Sequence, residues 1–182
     1  MIVWPAIVLP ATGSHVRNQL REPDDADAER LHSVFSSEAV TRYIPAPPSS
    51  LAAWRAWIAG TRRPTEGGGL AAFAVLKRTS GGEVAGLVQI ATCPDEPGAL
   101  MWGLVLAEPF WGTGLFGATA RAVVDVARSQ LRATALKAWI ASDNQRAVRA
   151  FYKLRGVVVT RVPDTLCPDG RRGDFVIASV RL

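Results

Sequence analysis

Hydrophobic and polar positions follow two periods along this chain, and Pro/Gly clusters punctuate the switches between them. Pro45–Pro48, Gly67–Gly69, Gly81–Gly82, Pro94–Gly98 and Pro168–Gly173 read as loops or turns. His15–Arg21 is a short strand candidate, and Asp24 or Asp25 can cap a helix over Ala26–Phe35 by accepting from free first-turn amides. Ser49 or Ser50 opens a helix at Leu51–Ile58, with Trp54 and Ile58 four apart on one face. Leu70–Lys77 and Glu83–Thr92 are apolar runs that Thr79-Ser80-Gly81-Gly82 joins as a hairpin, and Ala99–Leu106 is a further strand. The strongest helical pattern covers Leu115–Leu131: Phe116, Ala120, Val123, Ala127 and Leu131 share one face, and Arg121, Asp125, Arg128 and Arg132 the other. Ala135–Ala141 reads as a buried strand, and Ser142, Asp143 or Asn144 opens a helix over Ala147–Leu154. Val157–Val162 and Phe175–Leu182 form a closing hairpin around Pro168-Asp169-Gly170. The predicted order is βααβββαβαββ, an α/β fold with a mixed sheet of about seven strands.

Composition narrows the function classes. At 182 residues, 48% apolar and 20% charged, the chain is of globular type, sized for one domain with a sizeable core. No apolar run approaches the ~18–20 residues of a membrane span, and Met1–Pro10 lacks a basic flank and is broken by Pro5 and Pro10. A cytoplasmic location is expected. Two cysteines, Cys93 and Cys167, exclude a disulfide scaffold; with only His15 and His32 beside them, no metal site is expected. The net charge is +5, and every cation except Lys77, Lys137 and Lys153 is arginine. A mild basic excess suits an anionic ligand, and equally a solvated surface. Without a basic helix or an aromatic–basic motif, a nucleic-acid partner is not expected.

The most informative segment is Pro109-Phe-Trp-Gly-Thr-Gly-Leu-Phe-Gly-Ala118, which follows a strand and opens the best helix. Gly112, Gly114 and Gly117 leave amides unobstructed at a helix N-terminus, whose free N–H groups and partial positive charge attract anions. A glycine triplet by itself also fits a tight turn that binds nothing. The segment lacks the Gly-Lys-Ser/Thr end of a Walker loop. Gly112-Thr-Gly114-Leu-Phe-Gly117 matches the dinucleotide fingerprint formally, but it lies past mid-chain and lacks the ribose-binding acid near twenty residues on.

These residues resemble the GNAT acyltransferase superfamily, and within it the ribosomal-protein N-acetyltransferase (RimJ/RimL-like) branch. Leu20-Arg-Glu-Pro-Asp-Asp-Ala-Asp-Ala28 resembles that branch's first strand and helix, and Thr41-Arg-Tyr-Ile-Pro45 its next loop. Trp111-Gly-Thr-Gly-Leu-Phe116 is similar to its acetyl-CoA pyrophosphate loop. Asn144-Gln-Arg-Ala147 with Lys153-Leu154 resembles the following helix motif. Asp169-Gly-Arg, Asp174 and Ser179 resemble the closing hairpin. The resemblance implies an N-terminal extension over residues 1–15 and a GNAT-like domain over 16–182. It implies acetyl transfer from acetyl-CoA to a primary amine, a protein N-terminus or a small molecule, without metal. A homodimer is compatible with it.

The resemblance further implies a cofactor site on Gly112, Thr113, Gly114, Leu115, Phe116 and Gly117, on the strand backbone at Leu104, Val105 and Leu106, and on Asn144 and Phe151. Phe116 departs from the usual Gly or Ala, and no acid stands on Ala99–Leu106, where many relatives carry a base. The thiolate acid has two readings. Registering on Gly156 brings Tyr152 to the sulfur, which is the favoured reading; registering on Asn144 brings Phe151 there and leaves protonation to water. One residue is ~100° of helix rotation, so only one of the two can face the thioester. Glu108 is the acid nearest the loop and the candidate base. Arg42 and Tyr43 could line the amine site, and Trp102 and Trp111 the pantetheine channel; packing explains each as well. Cys93 with His32 has no third orienting group, so a thiol nucleophile is not expected. The alternative is a CoA-binding sensor or partner-binding module without turnover.

Overall fold

Among the described residues, eight strands assemble into one sheet, one more than the about seven predicted. The structure, a computed structural model, describes residues 7–9, 18–61, 71–77 and 83–182. In chain order the elements are β1 (Ile7–Leu9), β2 (Asn18–Arg21), α1 (Ala28–Phe35), α2 (Glu38–Thr41), α3 (Leu51–Thr61), β3 (Ala71–Lys77), β4 (Glu83–Thr92) and β5 (Ala99–Leu106). They continue as α4 (Leu115–Ser129), β6 (Ala135–Ala141), α5 (Gln145–Tyr152), β7 (Val158–Leu166) and β8 (Arg172–Arg181). The predicted turn at Thr79–Gly82, the glycines at 67–69, Leu70 and the first three residues of the strand expected at His15–Arg21 lie outside the described residues.

The sheet order is β1-β2-β3-β4-β5-β6-β8-β7. Every neighbouring pair is antiparallel except β5 and β6, so the sheet is mixed and open. Val84–Val88 on β4 is continuously buried, the mark of a strand covered on both faces. The unpredicted strand β1 pairs with β2 over three residues. A second addition is α2, a single helical turn after α1.

Local chemistry sets the helix ends. Asp24, one of the two candidates, makes a capping box on a 3-10 turn over Asp25–Asp27, and α1 itself begins only at Ala28: the Asp24 carboxylate accepts from the Ala26 amide, and Asp27 accepts from the Asp24 amide at 2.9 Å. Asp27 is buried and takes a two-pronged bond from Arg21, 2.7 Å on each oxygen, which holds that guanidinium's pKa above its usual value. Ser50 accepts from the Ala53 amide at the start of α3. Trp54 of α3 is buried and packs on Phe35 of α1, ring centroids 4.9 Å apart. On α4, Leu115, Ala118, Thr119, Ala122, Val123 and Val126 turn inward at spacings of three and four.

Candidate functional site

Among the described strands β5 and β6 are the one parallel pair, and they are joined over three residues only. The β5–β6 ladder comprises Ala99–Ala135, Leu100–Leu136 and Met101–Lys137, and stops there. Both strands run on toward the same end of the sheet, to Leu106 and to Ala141. Past Met101 they diverge, so the β5 backbone from Trp102 to Leu106 forms no ladder with β6. Its other edge stays paired with β4 throughout. The result is a wedge-shaped opening with a strand edge on one side, where an extended ligand finds backbone donors and acceptors.

The glycine loop sits at the end of this opening. After β5, Glu108–Phe110 forms one 3-10 turn, and Gly112 and Gly114 take left-handed conformations at φ 75° and 85°. Those values are the reason glycine is required at the two positions. Gly114 is the N-cap of α4 and has no side chain to satisfy the first-turn amides. The Thr113 hydroxyl donates to the Phe110 carbonyl at 2.8 Å and closes the loop on itself. A Cβ on Gly112 would meet no atom within 4 Å, so the space over the loop is open. Open amides at the head of a 15-residue helix suit a pyrophosphate.

Trp111 fixes the loop to the strand. Its indole N–H donates to the Leu106 carbonyl at 2.8 Å, and the guanidinium of Arg146, in the first turn of α5, stacks on its ring 3.2 Å from the centroid. Arg146 received no role from the sequence. The signal was its place two residues after Asn144, which puts it in the first turn of a helix facing the loop.

The predicted residues fall into place as follows. Leu104 and Val105 are half-buried and Leu106 is buried, on the β5 edge beyond the ladder. Leu115 is buried under α4, and Gly117 faces Arg121, whose Nη1 would lie 3.6 Å from an added Cβ. Asn144 is the N-cap of α5 and accepts from the Ala147 amide at 3.2 Å. The helix therefore starts at Gln145, two residues before the predicted Ala147, and runs without a bulge to Tyr152. That start decides which aromatic faces inward. Phe151 is buried against Trp102 and Phe116, with centroids 5.5 and 5.1 Å away. Tyr152, ~100° further round the helix, is 60% exposed. The helix is regular, with Phe151 on its buried face and the favoured acid candidate Tyr152 on an exposed one. Phe116 stacks on Trp102 at 6.3 Å, so the loop's departure from Gly or Ala builds a three-ring wall beside the opening. Glu108 sits in the turn between β5 and the loop and accepts from the Ser37 hydroxyl ahead of α2.

At the far side of the opening, β8 pairs with β6 out to Phe175–Ala141. Beyond Phe175 the β7–β8 turn carries a knot of polar groups. Asp169 accepts from the Cys167 thiol at 2.6 Å, from the Arg171 amide at 3.1 Å and from the Arg171 guanidinium at 2.9 and 2.6 Å. Burial pushes the Cys167 thiol pKa up, and the bond to Asp169 adds to it. Burial also pushes Asp169 up, but the hydrogen bonds from Arg171 and Cys167 outweigh it and leave the carboxyl below its usual value. In the sequence Arg171 stands only as part of a hairpin motif. Its contact with Tyr43, a 2.8 Å bond from Nη1 to that residue's carbonyl, spans 128 positions and left no local signal. Arg42 lies over the Tyr43 ring at 5.4 Å. Among the described residues no cluster of His, Cys, Asp or Glu could hold a metal ion, and no helix is long and apolar enough to cross a membrane.

Residues 17–157 match the family profile described as the acetyltransferase (GNAT) domain. No protein of curated function matches the sequence. Among solved structures, a T. thermophilus protein named as an acetyltransferase is similar at 27% identity and a TM-score of 0.73, covering 100% of this chain and 92% of its own. The spermidine N-acetyltransferase from Vibrio cholerae, solved with CoA and spermine, is similar at 16% identity and a TM-score of 0.74, covering 90% and 95%. A Vibrio cholerae protein named as a ribosomal-protein-serine acetyltransferase is similar at 16% identity and 0.73, covering 97% and 98%. The last two likenesses carry the fold alone.

Proposed function

Because the chain belongs to the GNAT acetyltransferase family, we propose that it moves the acetyl group of acetyl-CoA onto a primary amine by direct attack in a ternary complex. The acceptor is a protein N-terminus or a small-molecule amine, and the sequence motifs favour the ribosomal-protein branch. The observation that carries this reading is the β5–β6 opening with the Gly112–Gly117 loop at its end.

The residues fit acetyl-CoA. The amides of Gly112, Gly114, Leu115, Phe116 and Gly117 would hold the pyrophosphate, with Thr113 shaping the loop. The β5 edge at Leu104, Val105 and Leu106 would pair with the pantetheine arm and offer an amide to the thioester oxygen. Asn144 commits its side-chain oxygen to the α5 cap, which leaves its NH2 to donate to the arm. When bound, acetyl-CoA supplies the activated acyl group. The chain's own task is then to hold a neutral amine against it and to move one proton. Positioning is worth ~7–11 kcal/mol in such reactions, so a sparse acid/base set suffices. Glu108 is the candidate base, directly or through water. Phe151 has no proton to give, so the geometry supports water as the acid and leaves Tyr152 to a surface role.

A second reading, a CoA-binding sensor, draws support from the same facts: an inward phenylalanine and no acid on β5. One assay separates the two. Released CoA is followed while acetyl-CoA is incubated with a panel of polyamines, amino acids, aminoglycosides and peptide N-termini. The transferase reading expects amine-dependent CoA release with one acetyl group gained per CoA; CoA binding without release across the panel supports the sensor.

A further inference from the structure

The opening between β5 and β6 has a bridge across its mouth, and both ends of that bridge are tied. One end is the Ser37 hydroxyl on Glu108, two residues past the end of β5. The other is the Tyr43 carbonyl, held by Arg171 in the β7–β8 turn. That turn stands beyond Phe175, which pairs with Ala141 at the last position of β6. The two anchors therefore lie off the diverging ends of the two strands, and residues 37–43 run from one to the other. Between the anchors the segment holds its shape by its own turns. The Val40 and Thr41 amides donate to the Ser37 carbonyl, the Arg42 amide to Glu38 and the Ile44 amide to Thr41.

The Arg171 anchor is preorganised. Asp169 fixes the guanidinium from two of its nitrogens, so the third meets the Tyr43 carbonyl without freezing a free side chain. Phe175 lies beneath the guanidinium, 5.8 Å from its carbon to the ring centroid. The Cys167 thiol and the Arg171 amide hold Asp169 in turn. These interactions converge to aim one N–H at one backbone carbonyl, more than a surface hairpin needs for its own stability.

We infer that residues 37–43 form a strap over the acceptor's entrance to the opening, and that Arg171, aimed by Asp169, is the positioning residue that sets the strap's distance from the thioester. The inference rests on the acetyltransferase reading for its chemistry, because the strap closes the end where an amine must approach a thioester laid along β5. Arg171 acts through the strap and touches neither the acyl donor nor the reacting atoms.

The test uses Arg171→Ala, with Ser37→Ala releasing the other anchor through an exposed hydroxyl that folding does not need. Hydrogen exchange gives a readout free of activity: the Val40–Ile44 amides exchange faster in both variants, while the β6–β8 ladder keeps its protection. Steady-state kinetics use the amine that the native chain acetylates best. The acceptor KM rises roughly tenfold in Arg171→Ala while the acetyl-CoA KM stays within about twofold, a change inside the ~100-fold that a misplacement near ~1 Å can cost. Arg171→Lys does not restore it, because an ammonium cannot span Asp169 and Tyr43 in the same geometry. Unchanged exchange at Val40–Ile44 overturns the strap whatever the activity, as does an equal rise in both KM values. A native chain that acetylates no amine overturns the acetyltransferase reading, and exchange still decides whether the strap is held as described.

Discussion

Gly86 on β4 leaves no room for a side chain against β5, and replacing it with alanine tests the architecture that holds the opening. A Cβ at Gly86 would lie 2.0 Å from the Val105 carbonyl oxygen and 3.0 Å from the Leu106 Cα. Both are main-chain atoms, so no side chain can rotate away. The oxygen must retreat by about 1.4 Å to reach the 3.4 Å of ordinary contact, which moves β5 at the end that carries the loop. Two bonds hang on that position: the Ala107 amide to the Ala85 carbonyl at 2.8 Å, and the Trp111 indole to the Leu106 carbonyl at 2.8 Å. Overpacking costs ~1–3 kcal/mol and each of the two weakened bonds ~1 kcal/mol, so Gly86→Ala loses about 3–5 kcal/mol. For a chain of this size that is roughly 6–20 °C in Tm. Gly103 on β5 is the control, since a Cβ there meets nothing within 4 Å and its φ is not left-handed. Gly103→Ala is neutral or stabilising by ~0.4–1 kcal/mol through the unfolded chain. Urea titrations of both variants measure the difference, and a Gly86→Ala protein no less stable than Gly103→Ala refutes the close approach of β4 and β5.

Three further outcomes follow from the same geometry. Gly114→Val puts a β-branched residue at φ 85° beside the helix amides and weakens CoA binding by at least about tenfold; calorimetry showing unchanged affinity contradicts the loop's role. Tyr152→Phe leaves turnover within about twofold, because Tyr152 is exposed and Phe151 takes the buried face of α5 against Trp102; a fall of tenfold or more, with CoA still bound, restores Tyr152 as the acid. Asp169 has its folded-state pKa lowered, so the Arg171 knot is at full strength above the ordinary carboxyl value of 3.8 and is lost only as pH falls through the depressed one. A carboxyl carbon titration by NMR checks this, and a midpoint above 3.8 reverses the sign.

Much of this fold could be read from pattern. The α4 stripe, the β4 run and the glycine loop are long or distinctive, and each agrees with its neighbours about where the core lies. The shortest elements escape the pattern for a physical reason. The strand β1 has three residues and α2 one turn, too short for either period to repeat. The choice between Phe151 and Tyr152 turns on a single residue of helix start. The Asn144 cap and a regular helix put Phe151 on the buried face, whereas sequence motifs on either side of α5 point to different answers. Asn144 is one of three candidate caps in the sequence, and only the side-chain bond to Ala147 distinguishes it. The strap over the opening is invisible there, because its anchors join residues far apart in the chain through a backbone carbonyl and a hydroxyl. Nothing in the identity of Tyr43 announces that its main chain is held.

The central claim is that acetyl-CoA lies in the β5–β6 opening with its pyrophosphate on the glycine loop. An NMR titration of the labelled protein with CoA tests it most directly. The account predicts that the amides of Gly112, Gly114, Leu115, Phe116 and Gly117 shift together with those of Leu104, Val105 and Leu106, at one saturating concentration. The Arg21–Asp27 corner, at the end of β2 and three strands from β5, keeps its resonances. Saturation with shifts confined to other elements, or no shift at the loop at all, contradicts the account.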